Sequence, residues 1–225
     1  MKKNKVIIIS PVSRVKNLKL IKKSINFDFI YKWIIVYDSD KVKKNINYFK
    51  REKNIKEFIY YSKSNEVQGN GQRNFALNYI EKKYIKFKPF IYFLDDDNIV
   101  HSNLYNLIPF LKKKYIYTFD QQRTRYILSG AKPKIYHIDL AMFLGDFELI
   151  KKIRFKSDTY NADGKYIEDC YKNNKYRHIY IDEVACFYNY LQRNLARRVY
   201  YIIIWYFKIL TMRLFKNEIT KQYKP

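Results

Sequence analysis

The sequence predicts an α/β fold in which helices flank an open, mostly parallel central sheet. Short β-branched and aromatic runs alternate with amphipathic stretches through the first half of its 225 residues. This order is typical of parallel strands joined by crossover helices. Polar residues lie at the ends of three of these runs, at Ser10, Asp38 and Asp95. Because ligands of such sheets bind beyond the carboxyl ends of the strands, the pattern also predicts where a site would lie.

Five strands and four helices are expected in the first half. The strands are predicted from apolar runs at residues 6–10, 33–37, 58–61, 90–94 and 115–119. The helices are predicted at residues 17–25, 42–49, 75–80 and 104–111, where apolar residues recur with helical spacing. Gly69, Asn70 and Gly71 are expected to form a flexible turn before the third helix.

The second half is less regular. Strands are expected at residues 138–145, 178–181 and 184–188, with helices at 147–153 and 165–173. Residues 121–135 are polar and basic, which indicates a mobile loop or a hairpin. No Pro/Gly-rich linker divides the chain, so residues 1–192 are predicted to form one catalytic domain.

Residues 193–225 differ in composition from the rest. An aromatic and aliphatic run at 200–207 is flanked by arginines and lysines, and it is shorter than the roughly 20 residues that cross a bilayer. We expect a C-terminal basic-aromatic helix lying on an anionic membrane surface. The alternatives are a helix packed on the core or in a homodimer interface.

The composition is strongly basic. Its 45 Lys and Arg residues exceed its 21 Asp and Glu residues, which gives a formal net charge of +24. Such a balance favours nucleic acid, anionic membranes or phosphorylated substrates as partners. The alternative is a lysine-rich solvated surface, because Lys, Ile, Asn and Tyr are frequent throughout the chain.

Location is predicted from the cysteines and the first residues. Cys170 and Cys186 show no metal-ligand spacing, and two cysteines fit a reducing cytosol. The apolar run at residues 6–9 is too short for a signal peptide. We therefore expect a cytoplasmic protein, peripheral on the inner face of the cell membrane.

Three consecutive carboxylates, Asp95, Asp96 and Asp97, follow the strand predicted at residues 90–94. Like charges this close repel, so a buried trio needs a counterion. Mn²⁺ or Mg²⁺ would supply it, because hard cations prefer oxygen ligands. The alternative is an exposed acidic turn, and a phosphatase or nuclease could use the same cluster.

Two motifs resemble the beta-1,3-glucuronyltransferase family. Residues 71–77 read Gly-Gln-Arg-Asn-Phe-Ala-Leu, and residues 91–98 read Ile-Tyr-Phe-Leu-Asp-Asp-Asp-Asn. Residues 10–14, 33–38 and 137–143 are similar to further strands of that family, so the resemblance spans roughly residues 6–190 with gaps. The later part resembles bacterial inverting family 2-type glycosyltransferases, which carry a Glu-Asp pair on a helix. Both resemblances imply the GT-A fold.

The resemblance implies roles for the carboxylates and their neighbours. Asp97 would bind the metal that bridges the donor diphosphate, and Asp95 or Asp96 would contact the ribose or assist the metal. Asp38 would accept a hydrogen bond from the base. The nucleotide-sugar site would also include Pro11 and Arg14 at the same edge, and Arg73, which opens a helix where phosphate or sugar oxygens are favoured.

The resemblance also implies catalytic and acceptor residues. Asp169 would be the base that takes the acceptor proton, with Glu168 as the alternative, unless the pair is simply solvated at a helix start. Asp139 would contact an acceptor hydroxyl, or pair internally with Arg123, Arg125 or His137. The family's histidine near the diphosphate has no counterpart in residues 187–191.

These observations predict a metal-dependent inverting glycosyltransferase. Its donor would be a nucleoside-diphosphate sugar, UDP-linked, and its acceptor a glycan or lipid-linked glycan of a bacterial surface polysaccharide. A basic nucleic-acid-binding protein, a nucleotidyltransferase using the same aspartates and a non-catalytic membrane module are the alternatives. No nucleic-acid-binding motif is present, so no nucleic-acid partner is expected.

Overall fold

The structure is a computed structural model that describes residues 4–39, 48–62, 66–67, 69–156, 159, 161–192 and 203. The chain divides into two compact units, Met1–Leu191 and Gln192–Pro225, and the elements below belong to the first. Its described strands are β1 (Val6–Val12), β2 (Ile30–Asp38), β3 (Ile55–Tyr60), β4 (Phe90–Phe93), β5 (Ile99–Val100), β6 (Ile116–Gln122), β7 (Ile127–Leu128), β8 (Phe143–Asp146) and β9 (His178–Phe187). Its described α-helices are α1 (Leu18–Ser24), α2 (Asn70–Tyr84), α3 (Asn103–Leu107), α4 (Phe147–Ile150) and α5 (Ala162–Asn173).

The described strands form one sheet in the order β3-β2-β1-β4-β8-β6-β9-β5, with β7 paired to β6. Strands β3, β2, β1 and β4 are mutually parallel, and β6 is parallel to β9. Strand β8 is antiparallel to both β4 and β6, so these two run in the same direction. The prediction of a mostly parallel sheet flanked by helices is confirmed.

Alternating residues of the central strand pack on opposite faces of the sheet, as the two-residue period of a strand requires. Ile8 lies in a core cluster with residues of α1 and α3. Ile7 and Ile9 lie in a second cluster with residues of α2 and α5. Both faces are therefore covered by helices, which explains why β1 is an uninterrupted run of buried residues.

Four predicted boundaries were wrong for local reasons. Helix α2 already begins at Asn70, so Gly71 is helical. The strand expected at 138–145 is confined to Phe143–Asp146, because the Asp139 side chain accepts from the Ala141 N–H and caps a 3-10 turn. Helix α5 begins at Ala162, within the expected loop.

The fourth wrong boundary concerns β9, which is one strand where two were expected, at residues 178–181 and 184–188. Its register on β6 moves from Phe119 opposite Ile181 to Asp120 opposite Val184, so an irregularity replaces the expected break. The polar segment after β6 forms a hairpin with β7, one of the two forms expected for it.

Two predictions lie outside the described residues. Residues 40–47 cover most of the helix expected at 42–49. The C-terminal basic-aromatic helix falls on 193–225, of which only residue 203 is described. In the part of the chain that is described, no helix has both the length and the apolar content needed to cross a membrane.

Candidate functional site

A cavity of about 150 Å³ lies at the carboxyl ends of β1, β2 and β4, next to the start of α2. It brings together every residue predicted for the donor and the metal; the lining residues are Pro11, Val12, Ser13, Arg14, Asp38, Gly69, Gln72, Arg73, Asp95, Asp96 and Asp97. Sites for small ligands usually enclose about 300–1,000 Å³. The cavity would therefore hold part of a nucleotide sugar, and the remainder would lie along the open sheet edge.

Parallel pairing explains this convergence. Strand β1 lies between β2 and β4, and all three run in the same direction. The loop after β1, the last residue of β2 and the aspartates after β4 are therefore delivered to one edge. These segments are far apart in sequence, so the pairing of the strands brings them together, and the start of α2 completes the site.

Asp96 organises the loop after β1. Its buried carboxylate accepts hydrogen bonds from the backbone N–H groups of Ser13 at 2.7 Å and Arg14 at 2.6 Å. The Ser13 hydroxyl donates to the same oxygen at 3.1 Å, and the Asn17 amide donates to the Asp96 carbonyl at 2.7 Å. Asp96 thus holds the loop that carries Arg14, and its role in contacting a ribose stays a prediction.

Two arginines pair with the three aspartates. Arg14 Nη1 lies 3.0 Å from Asp97 Oδ2 and also pairs with Asp96. Arg73 Nη2 lies 2.7 Å from Asp95 Oδ1. Guanidinium groups therefore provide part of the counter-charge that the sequence predicts, but two cations against three carboxylates leave the cluster net negative.

The backbone at Gly69 positions Arg73. Gly69 has a φ of +87°, a left-handed conformation that favours glycine. A Cβ atom at Gly69 would lie 2.8 Å from Arg73 Nη1, so a side chain there would displace the guanidinium. The Arg73 N–H donates to the Gly69 carbonyl at 2.9 Å, which ties the first turn of α2 to this glycine.

Arg73 links two carboxylates from distant segments. Its Nη1 lies 3.1 Å from Asp163 Oδ1, in addition to the Asp95 pair. Burial alone lowers the pKa of Arg73, but Asp95 and Asp163 outweigh it and hold the pKa above its usual value. Its Nε has no hydrogen-bond partner in the described part of the chain, although it is buried.

Asp163 was missed by the sequence analysis. It lies in the first turn of α5. Burial raises its pKa to about 6, Arg73 opposes that increase, and Asp95 and Asp139 add to it. The signal that could have identified it is helical spacing, because Asp163 continues the buried stripe of Tyr166, Ile167 and Cys170.

Asp169 and Glu168 lie elsewhere on α5. Lys165 Nζ is 2.7 Å from Asp169, and Lys172 Nζ is 3.0 Å from Glu168. At 100° per residue, the two carboxylates project about 120–140° away from Asp163 around the helix axis. Neither lines the cavity, so the structure does not bring them to the other site residues. Their catalytic role stays a prediction.

Asp139 lies close enough to Asp95 for their charges to interact. Burial raises the pKa of Asp139 and Asp95 adds to this, while bonds from the Ala141 N–H and Gln121 amide and the charge of Arg123 oppose it. The amide of Gln121 donates to Asp139 at 3.1 Å. Arg123, Arg125 and His137 were the internal partners expected for Asp139, and of these only Arg123 affects its pKa. The side-chain hydrogen bond to Asp139 comes from Gln121.

The segment after β9 closes over the aspartate loop. The Asn189 N–H donates to Asn98 Oδ1 at 2.8 Å, and the Leu191 N–H donates to the Asp97 carbonyl at 2.9 Å. The guanidinium of Arg123 lies 4.1 Å from the centre of the Tyr188 ring. This segment therefore adds an aromatic ring and a cation beside the carboxylates, in the region where the resembled family has its histidine.

The described residues contain no group of three or more His, Cys, Asp or Glu side chains arranged to hold a metal. Asp95 and Asp97 nonetheless offer carboxylate oxygens on the cavity wall. This donor set fits a hard cation only where ligand oxygens complete the shell, as is common for Mg²⁺ bound with phosphates.

Comparisons with known proteins leave the family open. No protein-family model matches the chain, and no curated protein matches it. A solved structure described as a glucose-1-phosphate thymidylyltransferase from Bacillus anthracis, in complex with a sucrose, is similar at a TM-score of 0.46 and 11% identity, over 80% of this chain and 87% of that one. A glycosyltransferase involved in glycosylation of the major capsid of PBCV-1 is similar at a TM-score of 0.45 and 12% identity, over 86% and 97%. These scores are too low to support a shared fold or function.

Proposed function

We propose that this protein is a nucleotide-sugar-dependent glycosyltransferase with a GT-A fold. The observation that carries the proposal is the single cavity lined by Arg14, Asp38, Arg73 and the three aspartates after β4. It combines carboxylates that can bind sugar or ribose hydroxyls with two guanidinium groups suited to phosphate oxygens. The motifs resembling glucuronyltransferases supply these same residues. The sugar is proposed to come from a UDP-linked donor.

A Mn²⁺ or Mg²⁺ ion is part of this proposal. Asp97 and Asp95 would hold it, with diphosphate oxygens completing its shell. When bound, such a cation would neutralise the charge that develops on the leaving diphosphate. Arg14 and Arg73 already compensate Asp97 and Asp95. A metal and diphosphate entering together would bring charges of both signs, so the arginines could then bind phosphate oxygens.

Asp163 is the carboxylate that the geometry favours as the base. It pairs with Arg73, which also holds Asp95 at the cavity wall. In the proposed step, Asp163 takes the proton of the acceptor hydroxyl while that oxygen bonds to the anomeric carbon. The bond from that carbon to the diphosphate oxygen breaks, and the nucleoside diphosphate leaves with the electron pair, which inverts the configuration. A pKa of about 6 keeps Asp163 ionised at neutral pH.

The acceptor is proposed to be a glycan or lipid-linked glycan of a bacterial surface polysaccharide. Asp139 is proposed to contact an acceptor hydroxyl, because it lies near both Asp95 and Asp163. The charge of Asp95 raises the pKa of Asp139, and the charge of Asp139 raises the pKa of Asp163. Its hydrogen bond from Gln121 fixes one carboxylate oxygen. Residues 193–225 are proposed to form the membrane-binding helix of a cytoplasmic, peripheral enzyme.

The test is product analysis with the full chain. The protein is incubated with UDP-, GDP- and dTDP-sugars and Mn²⁺, and release of the nucleoside diphosphate is measured. We expect release with one nucleotide, lost in Asp95→Asn and Asp97→Asn and retained in Asp28→Asn, whose exposed carboxylate precedes β2. Pyrophosphate release from a nucleoside triphosphate and a sugar 1-phosphate would instead establish a nucleotidyltransferase. If neither product is detected, the proposal is overturned.

A further inference from the structure

The end of the sheet opposite the cavity is rich in lysine. Lys5 precedes β1, Lys88 lies two residues before β4, and residues 112–114 are three lysines just before β6. Helix α2 runs back to this end and contributes Lys82 and Lys83 in its last turn. Because β1, β4 and β6 run in the same direction, their amino ends lie together.

Hydrogen bonds join these segments into one surface. The Phe90 N–H donates to the Lys5 carbonyl at 2.8 Å, and Lys113 Nζ donates to the Lys88 carbonyl. The Asn4 amide donates to the carbonyls of Ile108 at 3.0 Å and Leu111 at 2.8 Å, which places the turn carrying Phe110 beside Lys5. We call this surface the amino-end face: Lys5, Lys82, Lys83, Lys86, Phe87, Lys88, Phe110, Lys112, Lys113 and Lys114.

The nearby carboxylates do not neutralise the face. Asp146 is buried, and its oxygens accept from the backbone N–H groups of Lys114 and Glu148. Glu81 pairs with Arg154, and Glu148 pairs with Lys151. Among the described residues, no lysine of the amino-end face forms an ion pair with a carboxylate, although burial lowers the pKa of Lys113 and the charge of Asp146 opposes this.

Two phenylalanines are exposed among these lysines. Phe110 is 79% exposed and Phe87 is 44% exposed. Lys5 Nζ lies 3.9 Å from the centre of the Phe87 ring. Large apolar side chains surrounded by cations are unfavourable in water, but they suit the boundary between lipid headgroups and acyl chains.

The backbone adds an independent observation. Lys88 and Lys114 have φ values of +46° and +63°, in the left-handed region that disfavours a residue with a Cβ. Lysine occupies both turns although glycine would be less strained there. Residues kept in strained conformations often serve a function, and here both carry a positive charge.

We propose that the amino-end face binds an anionic lipid bilayer, with Phe110 and Phe87 entering the headgroup region and the lysines contacting lipid phosphates. The face carries lysines and no arginine, and it lacks the forked guanidinium groups that read nucleic acid. All of its residues lie between Lys5 and Lys114 in the first unit. Single-stranded nucleic acid is the competing occupant.

The orientation has a consequence that rests on the proposed function. Strand β1 has seven residues, so about 20 Å separate the amino-end face from the cavity. A cavity facing away from the bilayer would accept a sugar held well above the membrane surface. An acceptor of several sugar units would reach it, whereas a single sugar on a lipid carrier would not.

The test is flotation of the full chain with phosphatidylcholine vesicles, with and without phosphatidylglycerol. The triple variant K86E/K88E/K112E is compared with K56E/K132E/K134E, which reverses three exposed lysines outside the face. At roughly fivefold per lysine, the first variant should lose on the order of 100-fold in affinity for anionic vesicles. The second should lose less than about fivefold, because charges beyond about 10 Å are screened.

A second pair of variants tests the aromatic contribution. Phe110→Ser should weaken vesicle binding. Tyr61→Ser should not, because Tyr61 is a similarly exposed aromatic residue that follows the carboxyl end of β3, away from the amino-end face. Equal losses in both lysine variants, or no vesicle binding by the wild type, would overturn the proposal. So would oligonucleotide retention lost only in K86E/K88E/K112E without a change in vesicle binding. Because no turnover is measured, these outcomes are independent of the proposed sugar transfer.

Discussion

The two ends of the central sheet differ in charge and in how that charge is compensated. At the carboxyl ends of the strands, Asp95 and Asp97 are buried or half-buried and pair with Arg73 and Arg14. At the amino ends, the lysines of the amino-end face are exposed except for the half-buried Lys5, and none forms an ion pair with a carboxylate among the described residues. We propose that the carboxyl end binds a ligand of mixed charge and that the amino end binds an extended anionic surface.

The comparison shows that a net charge says little without its placement. A formal charge of +24 is compatible with lysines spread over a solvated surface. The fold places eight of the 45 basic residues together at one end, because strand starts and the end of α2 meet there. The carboxylates that line the cavity lie at the carboxyl ends of the strands, so the two surfaces can bind different partners.

The largest effect expected is on turnover, at the carboxyl end. Asp163→Asn should lower kcat by about 10²–10⁴-fold with donor affinity retained, because the acceptor proton loses its base. In the wild type, kcat should rise with pH through about 6, where Asp163 loses its proton, and the variant should lack this limb. Steady-state kinetics across pH measure both.

Asp169→Asn is the rival variant for this prediction. Neither carboxylate lines the cavity, but Asp169 pairs with Lys165, whereas Asp163 pairs with the lining residue Arg73. If Asp169→Asn abolished turnover and Asp163→Asn did not, Asp169 would be the base and the assignment of Asp163 would be withdrawn.

The next effect is on stability. Arg73→Leu should lower the free energy of unfolding by about 3 kcal/mol, because it leaves Asp95 and Asp163 without their counterion. The loss should shrink as the pH falls towards about 6, because without Arg73 the Asp163 carboxyl takes up its proton at a higher pH than in the wild type. Urea unfolding at two pH values measures it. Arg14→Leu, whose side chain is 39% exposed against 5% for Arg73, should cost about 1 kcal/mol.

A smaller effect is expected at the glycine that positions Arg73. Gly69→Ala should cost about 1–3 kcal/mol, because it adds left-handed strain and a contact with the guanidinium. Gly69→Asn tolerates the backbone better but still carries a Cβ, so it separates the two causes. Equal stability of wild type and both variants, by urea unfolding, would show that Gly69 does not hold Arg73 in place.

The smallest effect belongs to the amino end. Lys88→Gly should leave stability unchanged or raise it by up to about 1 kcal/mol, because glycine relieves the left-handed strain. The same variant should lower affinity for anionic vesicles by roughly fivefold. A more stable variant that binds lipid less would sharpen the contrast between the ends. A variant that binds as well as the wild type would remove Lys88 from the face.

Local sequence signals predicted much of this molecule. The buried runs of β1, β2 and β4 and the aspartates that follow β4 are contiguous in the chain, so their positions could be read directly. The convergence of Arg14, Asp38 and Arg73 with those aspartates followed from parallel pairing and a motif resemblance. The structure places all of them on one cavity wall.

What could not be predicted depends on tertiary contacts. Asp163 reaches the site only because α5 packs beneath the sheet and Arg73 spans to it. Asp139 looked like a strand residue until its carboxylate capped the following turn. The amino-end face joins segments from residue 5 to residue 114, and no local pattern reveals that they are neighbours.

The proposed function requires that the carboxyl-end cavity bind a nucleoside diphosphate together with a divalent cation. The most direct measurement is thermal unfolding against a panel of nucleoside diphosphates, with and without Mn²⁺, since a ligand of the native state raises the unfolding midpoint. We expect a Mn²⁺-dependent increase with one nucleotide, lost in Asp97→Ala and kept in K86E/K88E/K112E. No increase with any diphosphate, at concentrations well above micromolar affinities, would contradict it.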